Sequence, residues 1–265
     1  MDVAEFAALH EDALERDPAR HILLLGLLGA AQNGQVPDIR MWSLGGPAQC
    51  AMLPPRAPLL LGRLDEAQCR SLADELSGSD YAGVIGPDQT AHWFFRHAAG
   101  LGERFHEPMP QRMHSLASAP IYPGAPGHAR QATDQDTDLL TDWMKEFFRE
   151  ATPHEAPVPR EHIARGVSAG RYFLWIVDGV PVSTAAIVRR TKTAGGISGV
   201  FTPAPLRTKG YAGSVTAAVV EHIYGEGRTM ACLNTDLRVP ASNRCYAKIG
   251  FTPVCDLALY RRIRP

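Results

Sequence analysis

Apolar positions recur with helical spacing at the start of the chain, where Phe6, Leu9 and Leu14 fall on related faces between Glu5 and Arg16. A second helix is expected over the apolar run Ile22–Ala31, stopped by Asn33-Gly34. Short strand-like stretches follow at 39–44, 51–53 and 59–61, broken by Gly45-Gly46-Pro47 and Pro54-Pro55. Asp65 is placed to cap a helix through Leu76, a short strand runs over 81–85, and Pro87-Asp88 opens a helix to about Ala99. Trp93, Phe94 and Phe95 read as core residues of this small α/β unit, which carries no phosphate loop or nucleotide fingerprint.

Three prolines and two glycines occupy the eight residues from Pro120 to Gly127. Such a stretch suits neither a helix interior nor a central strand, and it divides the chain into 1–120, a linker 121–127 and a second domain 128–265. The pattern then restarts. Arg130 and Ala132 read as a short strand, and Thr133-x-x-Asp136 resembles a capping box before Leu139, Leu140, Trp143 and Phe147 on one helical face. A Pro-rich loop (Pro153, Pro157, Pro159) leads to a weaker helix over 162–168. Asp178-Gly179 between 172–177 and 182–188 marks a hairpin, and 196–202 makes a third strand.

The formal charge of the 265 residues is −1, which removes a global electrostatic case for nucleic acid or membrane partners. The halves differ, however. Residues 1–125 hold nine Arg and no Lys against fifteen carboxylates, a balance of −6, and residues 126–265 balance at +5. Any anionic ligand is therefore expected on the second half. The five cysteines form no C-x-x-C pair and no cluster with His, so neither a disulfide framework nor a metal site is expected and a cytoplasmic setting is. The 22–31 run is too short to span a bilayer, and six carboxylates precede it where an export signal would be basic, so a buried helix is expected.

Chemistry concentrates in Val200-Phe201-Thr202-Pro203-Ala204-Pro205-Leu206-Arg207-Thr208-Lys209-Gly210-Tyr211-Ala212-Gly213-Ser214. A strand runs into a basic, glycine-containing loop and then into a helix expected over 214–224. The free N–H groups and partial positive charge of a helix N-terminus accept phosphate oxygens. Gly210, Ala212 and Gly213 leave backbone amides accessible, while Arg207 and Lys209 add charge. The spacing is neither the Walker loop nor the dinucleotide turn. Residues 207–212 fit Arg/Gln-x-x-Gly-x-Gly/Ala, and after a strand at 230–233, Asn243 to Phe251 fits Asn-x-x-Tyr/Phe-x-x-x-Gly-Phe/Tyr. A last strand, 253–261, is expected to close the sheet.

With these motifs, residues 128–262 resemble the GNAT superfamily of acyl-CoA-dependent N-acetyltransferases. Pro181-Val182-Ser183, Thr202-Pro203 and Asn234-Thr235-Asp236 resemble a bacterial subset in which a divergent GNAT-like domain precedes the catalytic one. The resemblance implies an α/β (α+β) fold with a mixed, mostly antiparallel sheet flanked by helices. It also implies acetyl-CoA as cosubstrate, no metal, and a small-molecule or peptide amine as acceptor. It places Val200, Phe201 and Thr202 along the pantetheine arm, residues 207–214 on the pyrophosphate, and Asn234 and Asn243 among the binding residues. Tyr246 becomes the general acid to the leaving thiolate, a task that suits a phenol. Cys232 and Cys245 are not needed, because direct transfer uses no covalent nucleophile. A base for the amine is less evident: Glu146, Glu150, His154 and Asp236 are candidates, and Glu150 is the choice carried forward. The competing readings are a non-catalytic acyl-CoA sensor and a protein-interaction module.

Overall fold

The computed structural model describes residues 1–151 and 158–263. The chain opens with α1 (Val3–Glu15) and α2 (Pro18–Gln32), then β1 (Arg40–Ser43), β2 (Cys50–Leu53), β3 (Leu59–Leu61), α3 (Glu66–Leu76), β4 (Gly83–Pro87), α4 (Asp88–Gly100) and β5 (Met109–Leu116). After the linker come β6 (His128–Gln131), α5 (Thr137–Ala151), α6 (Arg160–Ser168), β7 (Tyr172–Val177), β8 (Val180–Arg190) and β9 (Ala194–Phe201). The chain ends with α7 (Tyr211–Gly225), β10 (Met230–Asp236), α8 (Pro240–Ile249) and β11 (Thr252–Arg261). Apart from β6, the order two helices, three strands, helix, strand, helix, strand occurs twice.

Local chemistry explains most of these boundaries. Asp2 and Glu5 form a capping box at α1, and Asp65 and Gln68 form one at α3. Pro18 begins α2, where its missing N–H costs nothing. The β7–β8 hairpin turns at Asp178 and Gly179, both at positive φ, as a two-residue turn matching strand twist requires.

All the strands join one sheet, in the order β1-β2-β3-β4-β11-β5-β10-β9-β8-β7-β6. Pairing is antiparallel except for β3 with β4 and β9 with β10. The final strand of each half crosses to the other: β11 pairs with β4, β5 pairs with β10, and β5 and β11 pair with each other at the centre. The expectation that 253–261 closes the sheet is thus corrected. That strand is interior, with the four strands β1–β4 beyond it. Strand β5 has no counterpart in the sequence pattern at all.

Helices cover both faces of the sheet. On one side α7 and α8 bury Val215, Val219, Val220, Ile223 and Ile249, all 0% exposed, against Trp175, Ile187 and Leu233. Each such side chain contributes roughly 1.5–3 kcal/mol by leaving water. On the opposite side α5 and α6 pack on Leu174, Ile176 and Phe201. Helix α2, from the first half, reaches across that side to pack Ile22 against Met113, Ala194, Cys232 and Leu257. Among the described residues no helix is long and apolar enough to cross a membrane.

The linker is not a free tether. Ile121 N–H donates to Ile249 O at 2.9 Å, and the Tyr122 hydroxyl donates to Glu221 at 2.7 Å. The Trp175 indole N–H donates to Pro126 O at 2.8 Å. These bonds lay the linker across the α7–α8 side, next to the residues described below.

Candidate active site

Strands β9 and β10 run parallel but pair at only three positions, Ala194–Gly196 against Met230–Cys232. Each then continues with its other neighbour: β9 stays with β8 to Phe201, and β10 stays with β5 to Asp236. The facing edges of Ile197–Phe201 and Leu233–Asp236 therefore have no strand partner on that side among the described residues. Such an edge accepts an extended ligand as an added strand. Register slips between β8 and β9 bend the β9 side, with Gly199 at φ +62° and Met144 Sδ 3.3 Å from where a Cβ would stand.

The end of β9 is fixed by side chains. Ser183 Oγ donates to Phe201 O at 2.9 Å and lies 2.8 Å from Thr202 Oγ1. Arg207 Nε donates to Thr202 O at 2.9 Å, while Arg207 Nη2 grips both Glu150 oxygens at 2.8 and 2.9 Å. Arg207 and Glu150 thus join the last turn of α5 to the β9–α7 loop. The sequence put these residues in separate roles, on the pyrophosphate and on the acceptor, and the fold brings them together.

Helix α7 begins at Tyr211, three residues earlier than expected, with Gly210 as N-cap in the left-handed region at φ +84°. Thr208, also at positive φ, makes the turn into it. Among the described residues no side chain caps the helix, so the first-turn N–H groups of Tyr211, Ala212 and Gly213 have no side-chain partner there. Ser214, 1% exposed, has a buried Oγ without a hydrogen-bond partner among the described residues. Open amides, an orphaned hydroxyl and the exposed Lys209 fit a diphosphate group. Gly213 has a second reason to be glycine: a Cβ there would meet Pro123 Cγ of the linker at 2.6 Å.

Tyr246 and Asn243 share α8 one turn apart, as the motif requires. Tyr246 is 9% exposed, packed edge-on to Phe251 and clustered with Tyr211 and Val215. Burial pushes its phenol above the ordinary value, with Cys245 adding to the rise, so it stays protonated at neutral pH. Both hydrogens of the Asn243 amide are used within the protein, on Asp236 O (3.1 Å) and Val239 O (2.9 Å), and its Oδ1 accepts from Thr235 at 2.7 Å. Asn243 therefore ties α8 to β10. Asn234 donates to Gln111 Oε1 at 2.8 Å on the other side of the sheet.

The remaining candidates separate. Burial pushes Cys232 up to about 12 and raises Cys245, which keeps both as thiols. Burial raises Asp236, but its pairing with Arg238 prevails and holds it below the usual carboxylate value. Glu146 is exposed on α5, and His154 lies outside the described residues. The sequence named Ser183 and Thr235 within motifs but gave them no site role, and it missed Gln111 and His114. The last two stand on β5, and no local pattern links them to a site more than a hundred residues away.

Comparison with known proteins agrees with this geometry. The FR47-like protein family matches residues 174–259, from β7 into β11. A Drosophila protein solved by structural genomics aligns over 99% of this chain and 97% of its own, with 12% identity and a TM-score of 0.73. A GCN5-related N-acetyltransferase from Kribbella flavida aligns over 94% and 96%, with 18% identity and a TM-score of 0.61. Another from Sphaerobacter thermophilus aligns over 94% and 93%, with 15% identity and a TM-score of 0.56. No curated protein matches by sequence. The chain thus has the fold of the GCN5-related N-acetyltransferases, with an FR47-like segment spanning its splayed strands.

Proposed function

We propose that this protein moves an acyl group, acetyl in the simplest case, from coenzyme A to a primary amine by direct attack. The observation that carries the reading is the opening between β9 and β10 beside an uncapped α7 start. When bound, acyl-CoA supplies the thioester carbonyl that the amine attacks. The edge of Val200, Phe201 and Thr202 orients the pantetheine arm by backbone hydrogen bonds, and its amides stabilise negative charge on the carbonyl oxygen. The amides from Gly210 to Gly213, with Lys209 and Ser214, hold the diphosphate. Tyr246, protonated at neutral pH, donates from Oη to the departing sulfur.

Glu150 takes the amine's proton in this reading, with Arg207 fixing its position at the end of α5. The five free thiols accord with a reducing, cytoplasmic compartment. The motif resemblance supports a bacterial enzyme of two sequence domains, 1–120 and 128–265. A second reading is a non-catalytic acyl-CoA sensor. One observation favours it: Glu150 and Asp236 are both engaged by arginines.

Thiol release from acetyl-CoA across a panel of amines separates the two readings. Tyr246→Phe is expected to lower turnover about 100-fold or more with acetyl-CoA affinity nearly unchanged. No binding of acetyl-CoA below millimolar concentration would sink both readings. Full turnover in Tyr246→Phe would remove the tyrosine from the reaction.

A further inference from the structure

The β10 side of the opening is held from behind by β5, a strand that belongs in sequence to the first half. On one face of the sheet Gln111 accepts from Asn234 at 2.8 Å. On the other face His114, 5% exposed, lies with Nε2 3.2 Å from Thr235 Oγ1. Thr235 has a single hydroxyl hydrogen and gives it to Asn243 Oδ1 at 2.7 Å. Its oxygen is thereby left to accept, and His114 must be the donor. Its Nε2 therefore carries a proton. Burial lowers the basicity of the ring and Arg112 lowers it further, outweighing the opposite effects of Asn243 and Asp256 and favouring the neutral form.

The result is one directed chain of hydrogen bonds: His114 to Thr235, Thr235 to Asn243, and Asn243 to the carbonyls of Asp236 and Val239. It fixes the turn from β10 into α8, and Tyr246 stands one helical turn beyond Asn243. We propose that His114 is a positioning residue for the acyl-transfer centre, through which the first half's last strand sets the place of Tyr246. The inference rests on the acyl-transfer reading for its effect on rate, but not for its effect on α8. The first half is accordingly part of the machinery, because without β5 the β10 side has no neighbour to hold it in register.

The test compares full-length wild type, His114→Leu and His114→Gln, since a glutamine amide can donate from near the Nε2 position whereas leucine cannot. Losing a buried donor is worth about 10-fold in local equilibrium. In His114→Leu, hydrogen exchange over residues 243–247 is expected to speed by that factor while the α7 amides hold. With acetyl-CoA and an accepted amine, kcat should fall about 10-fold and the KM for acetyl-CoA should stay within about twofold. His114→Gln should restore both readouts. Unchanged α8 exchange in His114→Leu, or loss in both variants alike, would overturn the proposal. Wild type inert toward every amine, with the exchange pattern as expected, would leave the positioning intact and overturn acyl transfer instead.

Discussion

After β3 the chain enters α3 through Asp65, whose carboxylate accepts from the Gln68 amide at 2.8 Å while the Gln68 side chain accepts from Asp65 N–H at 2.9 Å. After β9, at the same place in the repeated order, it enters α7 through Gly210 with no side chain over the first turn. The parallel strands beside these turns pair briefly in both halves. Strands β3 and β4 pair at Leu59–Val84 and Leu60–Ile85, and a Cβ on Gly86 would stand 2.8 Å from the Leu61 Cβ. Strands β9 and β10 part after three residue pairs. One half meets the needs of its helix N-terminus from within, although a cavity of about 980 Å³ lined by Leu61, Asp65, Gly86 and Pro87 opens beside it. The other leaves its helix N-terminus unmet, and unmet backbone groups bind ligands. The absence of a cap is one difference between the binding turn and the structural one.

Placing a carboxylate at the entry to α7 should break the comparison with the largest effect. Gly210→Asp brings a carboxylate to the N-cap, where the proposed diphosphate needs the amides. Asp tolerates the left-handed region, and a Cβ there meets linker atoms no closer than 3.4 Å, so the fold should survive. Acetyl-CoA affinity is expected to drop about 100-fold through lost amide contacts and like-charge repulsion. Gly210→Asn has the same shape without the charge and should lose much less. Equal losses in the two variants, measured by calorimetric titration, would show that shape and not charge governs the turn.

A second difference lies where each half begins its first helix. The box of Asp2 and Glu5 on α1 is exposed. In the second half Asp136, 7% exposed, accepts both Arg130 Nη atoms at 2.7 and 2.8 Å and the Thr133 amide at 2.8 Å just ahead of α5. The Arg130 guanidinium holds the Asp136 carboxyl down at about 2, against 3.8 in the unfolded chain. A depressed carboxylate adds stability above its unfolded value, and that stability is lost as pH falls through the folded one. The stability gap between wild type and Asp136→Asn should therefore be about 2 kcal/mol above pH 5 and shrink steadily toward pH 2. A gap that is flat with pH in urea titrations would mean that the ionised fork contributes nothing beyond its shape.

These contrasts also explain what could be read from the chain. Periodicity, Asp65, Pro87-Asp88 and Asp178-Gly179 located most helices and hairpins because each acts within a few residues. Strand β5 escaped for the opposite reason. Its Gln111, Arg112 and His114 break any apolar alternation, and their partners are Asn234, Asp256 and Thr235, 121 to 144 residues away. The exchange of last strands was hidden likewise, since β11 reads as an ordinary terminal strand until β4 pairs with it. At the site, the motif located α7 and α8 but not the linker. That Gly213 must admit Pro123 as well as a ligand is a fact of packing that no hexapeptide encodes.

The smallest expected effect is the reciprocal change, removing the cap from α3. Asp65→Ala should cost about 1 kcal/mol of stability, the usual worth of such a cap, because the Gln68 amide loses its acceptor. It should not create a second site for acetyl-CoA. With the cap gone, Glu66 still stands in the first turn of α3, and Leu61 still closes β3 against Gly86. Titration of Asp65→Ala should therefore saturate at one equivalent of acetyl-CoA, as for the wild type. A second equivalent would mean that one carboxylate alone kept the first half from binding, and that the close approach of Leu61 to Gly86 is no barrier. One equivalent with the expected loss of stability would assign the difference to the strands and the cap together. The open turn would then depend on its splayed strands as much as on its glycine.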